Sequence, residues 1–540
     1  MERLWAECDT GSSRRLASAR ADAMVRAMNG REEPFDLFVV GGGINGAGIA
    51  CDAAGRTLKV GLCEMNDFAS ATSSSSTKLI HGGLRYLEHY EFRLVREALK
   101  EREVLLAKAP HLSHPLRFVL PHEPHLRPRW MLRLGLFLYD HLDWRMTLPK
   151  SQSVDFARSK FGAGLKPGFR NGFVYSDAWV DDARLVIANL KSARDMGAGI
   201  FARHRCVAAR RSDDGKLWNI DLAGPSGTAV RLRARGLVNA TGPWVKRFLD
   251  EQTHVKTPKR VRLIKGSHIV VPQLYEGDHA FILQNSDNRI VFVIPYERQF
   301  SLIGTTDIPV EAGEMPVCTA DEAAYLCELA SHYMAKPVAP ADVVWSYSGV
   351  RPLFDDGDDD PSAVTRDYHL EVDAPEGAGG AAAPLLSVFG GKITTYRRLA
   401  EHALADLKKY FPEMGGPWTA GKPVADGDMA DAPTFEEAFN RFVEGAAAVT
   451  PGLPKELVRA LAHRHGSGLD ELLENVKTVA DLGQAFGGHL YETEVRYLMR
   501  DEWAVEPDDV LWRRTKEGLH LTAAQRADFA HWMKALLPNN

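Results

Sequence analysis

FDLFVVGGGINGAGIACDAAGRTLKVGLCE, residues 35–64, is the stretch on which the fold turns. Residues 35–40 carry an almost unbroken apolar run, the pattern of a parallel strand buried on both faces. Gly41-x-Gly43-x-x-Gly46 follows, then the small-residue helix IACDAAGR, then a second strand, KVGLCE, that ends at Glu64. The whole has the length of a βαβ unit, about 30 residues. Gly41 permits a tight turn, Gly43 lets a pyrophosphate approach the backbone, and Gly46 lets helix and strand pack closely. The helix start offers free N–H groups and a positive dipole end to phosphate. Glu64 is placed to accept hydrogen bonds from both hydroxyls of a free ribose. The fingerprint therefore reads as a dinucleotide site, and alone it does not separate NAD from FAD.

Segments far along the chain separate them. Nothing after Glu64 resembles a second, nicotinamide-binding unit. Phe389-Gly390-Gly391-Lys392-Ile393-Thr394-Thr395 runs from an apolar strand straight into a helix. Such a Gly-rich helix start can present N–H groups to the edge of a reduced isoalloxazine, where negative charge collects. With Ala240-Thr241-Gly242 it describes a flavin fold closing on its cofactor from distant segments.

Between these anchors the chain is mixed. A Ser-rich stretch, SATSSSSTK, fills 70–78, and Phe92, Val95, Leu99 and Leu106 mark one face of a helix that ends near Ala109. RLIKGSHIVV, RIVFVIPY and FSLIGTTD read as strands of an antiparallel sheet. From about 412 the pattern turns helical. The boundaries are an N-terminal extension over 1–34, poorly ordered apart from a short helix near 16–28; a dinucleotide-binding domain over 35–250, resumed at 346–411; an antiparallel substrate domain over 251–345; and an all-helical domain over 412–540. The fold class is α/β plus α+β, with a Rossmann-like cofactor domain.

Composition narrows the function classes. With 540 residues, 45% hydrophobic and 25% charged, and a formal net charge of −5, the chain is neither disordered nor a dedicated nucleic-acid binder. Cys8, Cys51, Cys63, Cys206, Cys318 and Cys327 form no C-x-x-C pair and no zinc-like cluster, so reduced thiols and no metal are expected. No apolar run approaches the ~18–20 residues that span a bilayer. Residues 127–145, RPRWMLRLGLFLYDHLDWR, join aromatic bulk to arginines. They read equally as a buried helix edged with arginines or as an amphipathic segment resting on lipid.

The strings VVGGGINGAGIACDAAGR, TSSSSTKLIHGGLRYLEHYEFRLVREAL, VNATGPWV, RLIKGSHIVV, IGTTD, YSGVRPL, TRDY and SVFGGKITTYR carry a resemblance. Over roughly residues 35–540 the sequence resembles the membrane-associated, FAD-dependent glycerol-3-phosphate dehydrogenases. The resemblance implies a flavin domain of the D-amino-acid-oxidase type, an antiparallel substrate domain and a helical C-terminal cap. It implies hydride transfer from C2 of glycerol 3-phosphate to flavin N5, yielding dihydroxyacetone phosphate, with electrons passing to membrane quinone. It also implies non-covalent FAD, a homodimer, and peripheral attachment to the bilayer surface at the cytoplasmic face of a bacterial inner membrane. Its flavin-wrapping segment covers Thr72, Ser73, Ser76 and Lys78.

The residues permit this chemistry. A phosphate dianion needs forked or pointed cations. Arg85, Arg351 and Lys392 match family positions near substrate, and Arg366 in TRDY is a further candidate. Alcohol oxidation also needs removal of the hydroxyl proton, and a histidine has the right ordinary pKa near neutrality. His268 in KGSHIV matches a family active-site position, and Arg351 is placed to stabilise the developing alkoxide. Rival readings are an oxidase that reduces oxygen, an amine or amino-acid oxidase on the same fold, and a flavin-binding scaffold without turnover.

Overall fold

The computed structural model of the chain describes residues 33–143, 146–285, 287, 289–311, 316–355, 367–377, 380–429, 432 and 434–536. The short helix expected near 16–28 lies outside them.

The cofactor sheet is built around Phe35–Val40, which pairs in parallel with Val60–Cys63 on one side and Ala229–Asn239 on the other. Leu385–Phe389 and Gly199–Phe201 extend it in parallel, and His369–Asp373 closes one edge antiparallel. The apolar run divides by alternation, as a strand covered on both faces must. Leu37 and Val39 join the core beneath the helices Ile44–Gly55, Asp182–Asp195 and Tyr396–Leu407. Phe38 and Val40 join the opposite core with Trp218, Ile220 and Phe248.

A second sheet stands beside the first. Arg260–Pro272, Ala280–Gln284, Ile290–Tyr296 and Phe300–Gly304 are the strands read from the sequence or their neighbours, and they pair antiparallel. The sheet also recruits Leu79–Ile80, Ser113–Pro121, Gln152–Asp155, Asn171–Val180 and Trp345–Asp355. It is thus not confined to 251–345: it takes chain from within 35–250 and from beyond 345. One contact, Ala280–Gln284 on Ser113–Pro121, is parallel. Local patterning shows that a stretch is a strand, but not which distant strand it meets.

Beyond residue 430 the helices Phe435–Val449, Lys455–His465, Glu492–Asp501 and Ala523–Leu536 enclose a core of Val443, Leu461, Leu498 and Phe529. A short ribbon, Ala485–Gly487 on Leu490–Tyr491, is added to this helical domain.

Candidate active site

The three fingerprint glycines play three separate parts. Gly41 lies at φ +114°, and a Cβ there would stand 2.5 Å from Ala240 O. A Cβ on Gly46 would meet Gly41 O at 2.0 Å, so helix and strand touch at this point. Gly43 is open: its Cβ would meet a single atom within 4 Å, Ser73 Oγ at 3.1 Å. The first turn of the helix therefore faces a backbone cradle of the kind a pyrophosphate fills. Asn45 Oδ1 beside it is buried and has no hydrogen-bond partner among the described residues.

The Ser-rich stretch and the late Gly-Gly turn meet that helix start. Ser73 Oγ accepts the Ile44 N–H at 3.0 Å, and Thr72 donates to Val350 O at 2.7 Å. Asn45 Nδ2 donates to Gly390 O at 3.2 Å, joining segments 345 residues apart. Gly390 and Gly391 lie at φ +82° and +99°, in the left-handed region that favours glycine. Thr394 is buried in the turn Ile393–Thr395 that starts the following helix. Gly242, at φ +57°, borders open space, while the Thr241 hydroxyl donates to Asn239 Oδ1.

Glu64 has backbone partners that the sequence did not reveal. Its oxygens accept the N–H groups of Gly42 and Asn66, both at 2.8 Å, and so brace the glycine turn. Ser76 and Lys78 depart further from expectation. Lys78 is 1% exposed, and its ammonium pairs with Asp182 at 2.7 Å. The Ser76 hydroxyl donates to the same carboxylate. Both join this internal ion pair, because an ammonium taken out of water needs a carboxylate partner.

The substrate-side groups converge on one face of Arg260–Pro272. Gly266 and His268 are two apart on this strand and share that face. A Cβ on Gly266 would stand 2.2 Å from Arg351 Nη2, so the glycine clears the place where the guanidinium lies. Gly304 does the same for the imidazole, whose Cδ2 would be 2.1 Å from a Cβ there. Arg351 donates to Asp307 Oδ1 at 2.6 Å and, through Nη2, to Thr305 Oγ1 and Thr306 O. Ser267 and Thr306 in turn donate to the buried Glu322, which also pairs with Lys265.

His268 stacks on Tyr347, with ring centroids 4.8 Å apart, and its Nε2 bonds to the Thr77 hydroxyl at 2.9 Å. Its Nδ1 is buried and unpartnered among the described residues. Burial, then the positive charges of Arg351 and Lys78, hold its pKa well below the ordinary 6.5. This departs from the base titrating near neutrality expected from the sequence, because burial and the neighbouring cations disfavour the imidazolium.

Lys392 places its ammonium 4.2 Å from the centre of the Tyr86 ring. Arg85 lies in the turn Leu84–His89, but its side chain is outside the described residues, as is all of Arg366. The sequence reading missed Asn45, Gly266, Gly304, Thr77, Tyr347, Asp307 and Glu322. Only the two strand glycines carried a local signal, since glycine inside a strand marks a close approach.

On the surface, the helix Arg129–His141 exposes Trp130, Leu134, Phe137 and Leu138 and buries Leu136 and Tyr139. Among the described residues, no helix is long and apolar enough to cross a membrane.

The family described as FAD dependent oxidoreductase matches residues 36–397, and the C-terminal domain of alpha-glycerophosphate oxidase matches 419–532. A glycerol-3-phosphate dehydrogenase of Pseudomonas aeruginosa is 52% identical over 94% of this chain and 96% of its own. A D-erythritol 1-phosphate dehydrogenase of Brucella abortus is 48% identical over 93% of this chain and 98% of its own. The crystal structure of a glycerol-3-phosphate dehydrogenase from Bacillus halodurans complexed with FAD superposes with a TM-score of 0.71. It is 26% identical and covers 96% of this chain and 97% of that one.

Proposed function

The chain belongs to the FAD-dependent oxidoreductase family, with FAD as its cofactor, and from that premise we propose that it oxidises sn-glycerol 3-phosphate to dihydroxyacetone phosphate. The observation that carries the reading is the convergence of Arg351 and His268 on one strand face that Gly266 and Gly304 clear. Bound FAD supplies the hydride acceptor. Gly43 and its helix start would take the pyrophosphate, Glu64 the ribose side, and the Gly390–Gly391 turn the flavin end.

The chain's own groups divide the remaining work. The guanidinium of Arg351, fixed by Asp307 and Thr305, offers its remaining N–H donors to an anion. Lys392, over the Tyr86 ring, adds a second positive charge for a phosphate. His268 takes the hydroxyl proton as the carbinol is oxidised, with Thr77 fixing the ring through Nε2.

Electrons leave, in this reading, to a quinone dissolved in lipid. The exposed apolar stripe on Arg129–His141 supports peripheral seating at a membrane surface, since Trp130, Leu134, Phe137 and Leu138 follow one another at helical spacing. The Brucella relative gives a second reading, D-erythritol 1-phosphate, which offers the same phosphate and a comparable secondary alcohol.

Steady-state turnover tests the pair of choices. The FAD-loaded protein should turn over sn-glycerol 3-phosphate with a short-chain quinone far faster than with oxygen, and faster than it turns over D-erythritol 1-phosphate. Equal rates with oxygen would make it an oxidase. A higher kcat/KM for erythritol phosphate would reassign the substrate.

A further inference from the structure

The loop Glu64 to Ala69 is the floor of the glycine turn. A Cβ on Gly42 would meet Phe68 Cδ1 at 2.5 Å and Glu64 Cβ at 2.7 Å. Ala69 N donates to Gly42 O, and Gly42 N to Glu64. Between Glu64 and Phe68, Asp67 is 3% exposed and gives its carboxylate to the C-terminal domain. Arg514 grips it in bidentate fashion, Nη1 to Oδ2 at 2.8 Å and Nη2 to Oδ1 at 2.7 Å, and Arg513 donates Nε to Oδ2. Arg514 also donates to Glu502 O at 2.8 Å, and Trp503 meets Phe68 edge to face at 5.3 Å. Arg203 closes the arrangement. Its backbone N donates to Asn66 O, and its guanidinium donates to Glu506 and Asp509. Burial would raise the Asp67 pKa, but Arg514 and then Arg513 outweigh it and hold the group ionised.

We propose that the C-terminal domain completes the cofactor site: Arg513, Arg514 and Trp503 are positioning residues that fix the Glu64–Ala69 loop for the ADP half of FAD. A bidentate guanidinium sets the orientation of a carboxylate as well as its distance. Asp67 lies three residues from Glu64 and next to Phe68, so a shift there moves both groups that support Gly42. FAD retention thus depends on how this domain docks, although none of the three residues belongs to the fingerprint.

The test uses the full-length protein and reads the FAD dissociation constant from flavin fluorescence, with hydrogen exchange over residues 64–70. Arg514→Met should weaken FAD binding by about tenfold or more, or ~1.4 kcal/mol per factor of ten. Arg513→Gln should shift it the same way by about threefold or more, because one of the two guanidinium partners of the buried Asp67 is lost. Arg514→Lys should recover part of the affinity, and exchange over 64–70 should rise in the weakened variants. Arg464→Met is the control. It breaks another buried pairing, with Glu494 and Glu517, that has no bond to the loop. It should lower Tm and leave the dissociation constant unchanged. If Arg514→Met does not fold, Arg513→Gln decides, since it keeps the Arg514 pair. Unchanged affinity and exchange in Arg513→Gln would overturn the proposal, and so would equal FAD loss in Arg464→Met.

Discussion

A Cβ at Gly43 would touch one hydroxyl, whereas at Gly46 it would collide with the backbone of Gly41, and the two positions should fail differently. Gly43→Leu should yield folded protein without FAD, because its side chain fills the cradle and leaves the packing intact. Gly46→Ala should lower Tm, since forcing a methyl into a filled contact costs ~1–3 kcal/mol. Flavin occupancy and thermal unfolding of the two variants check the contrast. Arg351→Ala should keep bound FAD and lose ~2–4 kcal/mol of transition-state stabilisation, roughly 30- to 1000-fold in kcat/KM. A loss below about threefold would leave Arg351 a purely structural partner of Asp307. His268 gives a signed pH prediction. Its folded pKa lies below the unfolded value near 6.5, so the neutral ring is retained above that value and its contribution to stability is lost as pH falls through the window beneath it. From pH ~6 to ~8, then, kcat/KM should show no ionisation that vanishes in His268→Asn, while flavin reduction in that variant should be slower throughout. A limb near neutrality that the mutation removes would show that the ring titrates as an ordinary histidine.

The helix Arg129–His141 is the element for which the sequence offered two readings. Its aromatic and leucine face is exposed, so a buried helix edged with arginines no longer describes it. Of its arginines, Arg133 turns back to Ser151, whereas Arg129 remains exposed. Trp144 and Arg145 lie outside the described residues. Each basic residue near an anionic surface contributes ~1 kcal/mol that salt screens, and apolar insertion contributes a part that salt leaves in place. Trp130→Ser with Phe137→Ser should therefore weaken vesicle binding in sedimentation and slow quinone turnover. Tm and bleaching of the flavin by substrate should stay near wild type, because both side chains are already in solvent. Normal vesicle binding by the double variant would place the lipid contact elsewhere.

For the whole molecule, legibility followed chain distance. The strand, turn and helix from Phe35 to Gly55 are adjacent in sequence, and periodicity with three glycines was enough to read them. That the Gly390–Gly391 turn and the fingerprint serve one cofactor was read from their shared helix-start chemistry, but the bond from Asn45 to Gly390 that joins them was not. The membership of Ser113–Pro121 and Asn171–Val180 in the second sheet was not legible, because pairing partners leave no mark on a strand's own pattern. The same limit hid Asp182 as the partner of Lys78 and Asp307 as that of Arg351: a lone charged residue does not announce which opposite charge will meet it. The central claim is that a phosphorylated carbinol held by Arg351 and His268 reduces FAD, and anaerobic titration of the FAD-loaded protein with sn-glycerol 3-phosphate tests it most directly. The flavin absorbance should bleach fully, while glycerol and inorganic phosphate leave it oxidised. A flavin that stays oxidised with sn-glycerol 3-phosphate, or that glycerol bleaches equally well, would contradict the account.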